Sequence, residues 1–298
     1  MENFILILLA LGIGYGLNRL KLFPENAATV LNQFVIYISL PAMVLLQIPK
    51  LTFSLDVMIP VIVAWLVMIV TACITFFISK VMHFSKEVTG ALMLIAVLTN
   101  SSFLGIPIIH AYLGDEALPF ILVYDQIGTF LALSTYGIFV AAYYSNSSEI
   151  NAKMMAVKIF TFPPFISLVI ALFLMGSSFP DTISKVLGTL GDTIVPLALV
   201  AVGLQLQLKL PGHEIKPFGM ALFIKLIIAP LIALAIVKVA GWDSLAASVS
   251  VMEAGMAPMI TAGAMASLSG LAPRLSSAIV GYGILLSFLT TAVLFTLI

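Results

Sequence analysis

The chain has 298 residues, is 62% hydrophobic and only 9% charged, and carries no net charge at pH 7; its mean hydropathy is +1.21. A soluble domain cannot hide that much apolar surface and no basic tract offers a nucleic-acid footprint, so both classes are excluded in favour of an integral membrane protein. A helix needs roughly 20 apolar residues to cross the hydrocarbon, so this length holds about ten crossings, and apolar runs of helical length exclude a β-barrel.

The predicted spans, in chain order, are 3–18, 25–48, 56–79, 87–112, 117–143, 156–176, 181–207, 216–239, 243–268 and 275–297. The first reads as a span and not a secretory signal, because Glu2 precedes its apolar run while Arg19 and Lys21 follow it. Cys73, the single cysteine, lies in the third run and is expected to be a small buried hydrophobe with no disulfide and no metal role. Loops after odd-numbered spans hold Arg19, Lys21, Lys80, Lys86, Lys153, Lys158, Lys209, Lys216 and Arg274; the other side holds Lys50, Lys185 and Lys238. That bias makes the odd loops cytoplasmic and both termini extracytoplasmic.

Two stretches resemble one another. Phe23-Pro-Glu runs on to Leu40-Pro41, and Phe179-Pro-Asp runs on to Val195-Pro196. Gly105-Ile-Pro107 in the fourth span likewise answers Met256-Ala-Pro258 in the ninth. Spans two and four thus correspond to seven and nine, so each unit holds five. An odd count inverts the second unit relative to the first, an architecture common in secondary transporters.

The fourth and ninth spans carry helix breakers near mid-membrane. Pro107 and Pro258 each remove an amide donor, and Gly105 and Gly255 let the backbone leave the helix at little steric cost. Backbone unwinds in a membrane only inside protein or beside a water-filled cavity. Paired breaks at corresponding positions therefore point to a midplane binding site, with two half-helix N-termini suited to an anion. Substrate-contacting residues are expected to be Asn100, Ser101, Gly105, Pro107, Gly255, Met256 and Pro258.

Glu253 falls just before the ninth-span break, where a charge is costly and needs a partner. That partner is a metal cation, a proton or Lys225. Asp125 and Thr129, four apart, share one helix face of the fifth span. With Asn100, Ser101 and Glu253 they make an all-oxygen set of the kind hard cations prefer, which fits a bound Na⁺. Lys225 has two readings, a counter-charge facing the core or a side chain snorkelling to the cytoplasmic surface. Asp192, before Pro196, reads either as a second counter-charge or as a group that satisfies a local helix break. His83 and His110 are expected at the interfaces.

At Leu40-Pro41, Asn100-Ser-Ser-Phe-Leu-Gly-Ile-Pro107, Tyr124-Asp-Gln126 and Glu253-Ala-Gly-Met-Ala-Pro258 the sequence resembles the auxin efflux carrier family. The resemblance covers nearly the whole chain. It implies the all-α fold of bile acid–sodium symporters: ten transmembrane helices, an inverted 5+5 repeat and two crossing broken helices. It further implies a scaffold from 1–50 and 146–210, a moving core from 51–145 and 211–298, elevator-type alternating access and a homodimer. Glu253-Ala-Gly-Met256 is similar to the sodium-binding motif of those symporters. They lack an acid at the position of Asp125, and plant carriers lack one at Glu253, so Na⁺ and H⁺ both stay open as the coupling ion. The loop Tyr144–Met155 is much shorter than in plant carriers and points to a bacterial or archaeal protein.

The functional expectation is a secondary active transporter of a small organic anion, a carboxylate, across the cytoplasmic membrane, coupled to Na⁺ or H⁺. The alternative is an uncoupled facilitator or channel for such an anion. No nucleophile–base constellation, metal motif or nucleotide loop suggests an enzyme, and no cofactor is expected beyond a bound Na⁺. No span holds an arginine to clamp a dicarboxylate.

Overall fold

The computed structural model describes residues 2–51, 54–145, 153, 157, 160–206 and 214–298, with 2–4 as backbone only. Lys158, Lys209, most of the Tyr144–Met155 loop, the first residues predicted for the sixth span and the end of the seventh lie outside the described residues. Secondary structure among the described residues is helical, without strands.

The helices in chain order are α1 (Glu2–Arg19), α2 (Ala27–Lys50), α3 (Leu55–Val81), α4 (Lys86–Ile95), α5 (Ser101–Leu113), α6 (Asp115–Tyr144), α7 (Pro163–Phe173), α8 (Asp181–Gln205), α9 (Ile215–Ala240), α10 (Leu245–Ala254), α11 (Ile260–Leu268) and α12 (Pro273–Phe295). Six of these, α2, α3, α6, α8, α9 and α12, are long and apolar enough to cross a membrane. Shorter apolar helices run over Ile5–Arg19, Ser101–Leu113, Pro163–Phe173 and Leu245–Ala254. The stretches predicted as the fourth and ninth spans are thus each divided, into α4 with α5 and α10 with α11.

Both first halves start the same way. Ser85 Oγ accepts from the Val88 amide at the head of α4, and Ser244 Oγ accepts from the Ala247 amide at the head of α10. Each hydroxyl satisfies an amide that has no partner within its helix.

Three prolines in helix interiors widen the helix instead of ending it. π-helical turns cover Val35–Ser39, Ser101–Gly105 and Ile224–Ile228, and Pro41, Pro107 and Pro230 each follow two residues later. A proline lacks the amide and its ring presses on the preceding turn, and an added residue in that turn relieves both problems. The expectation that Pro107 breaks the fourth span is corrected here. The helix runs continuously through Gly105 and Pro107, and the break lies upstream at Val97–Asn100.

α1 and α8 touch backbone to backbone. A Cβ on Gly14 would stand 2.3 Å from the Val200 carbonyl oxygen, and one on Gly203 would stand 2.3 Å from the Leu11 carbonyl oxygen. Small residues at such crossings are the usual means of close helix approach in lipid. α2 packs on α7 and α8, while α3 packs on α4, α6, α9 and α10. Cys73 is exposed on the outer face of α3, contrary to the buried position expected for it. A lipid-facing position suits a soft apolar side chain as well as a core does.

Candidate functional site at the crossing of two broken helices

The two breaks meet. Thr99 and Pro258 form an isolated antiparallel bridge. The Asn100 amide donates to the Ala257 carbonyl at 3.0 Å, and the Met259 amide donates to the Leu98 carbonyl at 3.1 Å. Each unwound segment therefore satisfies backbone groups of the other, which is how irregular backbone survives away from water. Pro258 fits this bridge because its missing amide is not asked for. The ring of Pro258 lies against Gly283 of α12, where a Cβ would stand 2.4 Å from Pro258 Cδ. Gly255 has ordinary right-handed geometry, and its bare Cα makes room for Leu294 and Pro230.

Glu253, at the end of α10, is fully buried. A Cβ on Gly105 would stand 2.6 Å from each of its carboxylate oxygens. Gly105 thus serves close approach and not backbone freedom, since its φ of −58° and ψ of −55° are those of any helical residue. Among the described residues neither Glu253 oxygen has a hydrogen-bond partner. The same holds for the buried Asn100 Nδ2, Gln126 Oε1 and Thr261 Oγ1. Buried polar atoms are nearly always paired, so the open groups of Asn100, Gln126 and Glu253 make the crossing the candidate site.

Asp125 is differently placed. Ser101 Oγ and Ser102 Oγ both donate to its Oδ1 at 2.5 Å, and Gln126 Nε2 donates to its Oδ2 at 2.6 Å. Three donors converge on the carboxylate as they would on an anion. Thr129 does not join them; it lines a recess of about 20 Å³ with Thr99 and Tyr124. Both residues lie in the π-helical turn Tyr124–Phe130.

Lys225 does not snorkel. It is 0% exposed, and its Nζ donates to Thr99 Oγ1 at 2.6 Å and to the Ala254 carbonyl at 3.0 Å. Asp192 lies elsewhere. It is exposed at the end of the first helical stretch of α8 and lines a cavity with Lys50, His110 and Asp115, so it is no counter-charge at the crossing. His110 Nε2 pairs with Asp115 Oδ1 at 2.5 Å. Met256 is fully buried beside the bridge.

Two cavities flank the crossing at opposite ends of α2 and α8. One, of about 660 Å³, is lined by Asn18, Lys21, Glu25 and Gln205 on one side and by Gly263, Ser267 and Ser277 of α11 and α12 on the other. The second, of about 410 Å³, lies between Met43, Lys50 and Pro196 and the Ile106, Pro107 and His110 face of α5.

Sequence reasoning missed Thr99, Gln126, Thr261 and Gly283 as parts of this region. Gln126 sits in a quoted motif, but the others are common residues whose meaning comes from what crosses them.

A family described as membrane transport protein matches residues 1–295. An uncharacterized transporter of Methanothermobacter thermautotrophicus is 25% identical over 268 residues, covering 89% of this chain and 87% of its own length. An uncharacterized transporter of Methanocaldococcus jannaschii is 25% identical over 266 residues, covering 86% of this chain and 85% of its own.

Proposed function

This chain belongs to the auxin efflux carrier family of membrane transport proteins, and on that premise we propose that it is a multi-pass secondary transporter moving a small organic anion with Na⁺ or H⁺. The observation that carries the reading is the carboxylate of Glu253, fully buried at the crossing with both oxygens open among the described residues. A buried carboxylate needs a cation, a proton or hydrogen bonds to offset its lost hydration. Asn100 and Ser101 supply neighbouring oxygens, and Asp125, held by Ser101, Ser102 and Gln126, adds negative potential without giving up its own partners. The N-termini of α5 and α11, with Asn100 Nδ2 and Thr261 Oγ1, are the donors for the substrate carboxylate. Gly105, Gly255, Met256 and Pro258 shape the surface it meets.

The proposal includes ten crossings in an inverted repeat. Two contacts support it. Ser39 and Thr193, 154 positions apart and each just before a repeat proline, share a 2.6 Å hydroxyl contact. Thr99 and Pro258, in the corresponding breaks, form the antiparallel bridge. Contact between corresponding segments of the two halves is what a pseudo-two-fold axis running between them gives. In this reading α1, α2, α7 and α8 are the scaffold, the remaining helices are the moving core, and the cavities of about 660 and 410 Å³ at their boundary are the two access routes. The scaffold would pair two copies. The basic-residue bias supports a cytoplasmic membrane with both termini outside.

The test is the melting midpoint of purified protein in NaCl against choline chloride at matched ionic strength. A ligand bound only by the folded state stabilises it by RT ln(1 + [L]/Kd), about 2.7 kcal/mol at a hundredfold excess over Kd. Sodium is expected to raise the midpoint of wild type saturably and to leave Glu253→Gln unchanged. No sodium effect in wild type removes the sodium form. Uptake in proteoliposomes that follows neither a sodium nor a proton gradient removes coupling altogether and leaves an uncoupled facilitator.

A further inference from the structure

We infer that the Lys225 ammonium is a tethered cation, filling from within the chain an oxygen-lined position between the two helix breaks and taking the place of one mobile ion. The inference deepens the reading of Glu253 as a cation or proton site and rests on it for its consequence, the number of ions carried.

The geometry is that of a bound cation. Thr99 Oγ1 belongs to the break between α4 and α5, and the Ala254 carbonyl ends α10 at the other break. One partner therefore comes from each broken helix, and both are neutral hard oxygens of the kind a monovalent metal ion takes. A lysine ammonium carries three donors and a compact charge, so it can stand where such an ion would. The side chain is fully buried, which removes the surface position that a lysine in lipid ordinarily seeks. The π-helical turn Ile224–Ile228 that precedes Pro230 is what carries Lys225 in α9.

The contact is not a closed ion pair. Among the described residues the salt bridge within 4.0 Å is His110 with Asp115, and the Glu253 oxygens keep no partner. The amine holds the two breaks together while the carboxylate stays open for something else.

Charge balance gives the consequence. The buried Asp, Glu, Lys, Arg and His side chains among the described residues are Asp125, Glu253 and Lys225. In their ionised forms they leave one negative charge at the crossing, which one Na⁺ or one proton neutralises. Without Lys225 the same site would hold two negative charges and an empty set of oxygens.

The experiment combines melting midpoints with a count of bound ²²Na⁺ by equilibrium dialysis on the purified full chain. Wild type, Lys225→Ala, Lys225→Met and Glu253→Gln are compared in choline, sodium and methylammonium chloride. Lys225→Ala is expected to melt below wild type in choline and to recover saturably with methylammonium or sodium. Lys225→Met fills the space and is expected not to recover, and wild type is expected to ignore methylammonium. Bound sodium should rise from one ion per chain in wild type to two in Lys225→Ala. The inference is overturned if Lys225→Ala melts as wild type does, if no small cation restores it, or if its sodium count stays at one. Should Lys225→Ala not yield folded protein, Lys225→Ser is used, and failure of both to be restored by methylammonium during purification also overturns it. Wild type that binds no sodium defeats the sodium form of the Glu253 reading alone, because methylammonium rescue of Lys225→Ala still decides the tethered cation.

Discussion

Gly105 and Glu253 occupy one small volume: a Cβ on the glycine would stand 2.6 Å from both oxygens of the fully buried carboxylate. Two residues 148 positions apart in the chain are thereby made to depend on each other, one by having no side chain and the other by ending a half-helix against it. The backbone at Gly105 is ordinary helix, so the glycine answers to the carboxylate and to nothing local.

Gly105→Ala is therefore expected to push the Glu253 carboxylate aside. The carboxylate is the movable end of a side chain, so the fold should survive at a cost of about 1–3 kcal/mol. The ion response should not survive. A sodium-induced midpoint shift as small as that of Glu253→Gln is the expected result, and an unchanged wild-type shift would remove the dependence.

Gly283→Ala should be worse tolerated. Its Cβ would meet Pro258 Cδ at 2.4 Å, and a proline ring in a bridged break cannot swing away. Overpacking of this kind costs about 1–3 kcal/mol or more. Gly12→Ala is the control, because nothing lies within 4 Å of a Cβ there and alanine is the better helix former. The midpoint of Gly283→Ala should fall while that of Gly12→Ala holds or rises.

Thr99→Val removes one of the two oxygens that Lys225 donates to, at equal volume. A buried charged donor left short of a partner costs about 1–3 kcal/mol or more. Thr99→Ser keeps the hydroxyl and should stay close to wild type in melting. Equal midpoints for the two variants would show that the hydroxyl contributes little.

The Asp125 carboxylate depends on its donors. Ser101→Ala with Ser102→Ala removes both hydroxyls from Oδ1, and about 1–3 kcal/mol per lost partner is expected from the uncompensated acid. Asp125→Asn should cost less. The Gln126 amide can turn its open Oε1 toward the new amide group, and the serines can still donate to the remaining oxygen. Denaturation midpoints in the order wild type, Asp125→Asn, double serine variant test the arrangement.

Cys73→Ser gives a simple check on the outer face of α3. Because Cys73 is exposed, the substitution should change stability by about 0.5 kcal/mol or less. A clear loss in the melting midpoint would mean that the thiol is packed.

The membrane class was legible in composition, because a bilayer imposes its requirement on every stretch of chain separately. The helical stretches were legible in their apolar runs, and the unwinding of the ninth span in Pro258. Asn100, Ser101, Asp125 and Glu253 could be picked out because a polar or charged side chain inside an apolar run is costly wherever it lies.

What the sequence could not decide was which atoms meet. Pro107 looked like a break and became a widened turn, since only the bridge to Ala257–Met259 determines where the fourth span unwinds. Asp125 and Thr129 shared a helix face on paper, yet the side chains of Ser101, Ser102 and Gln126 surround the one and the recess beside Thr99 the other. Lys225 had two readings of equal local merit, and the oxygens of Thr99 and Ala254, 126 positions before it and 29 after it, chose between them. Gly283 carries no local signal, and Gly105, read in the sequence as a point of backbone freedom, shows its part only against the Glu253 carboxylate. Hydropathy and helix breaking act over one turn of chain and are written there, whereas a crossing is a contact between distant segments whose energy exists only once the fold has brought them together.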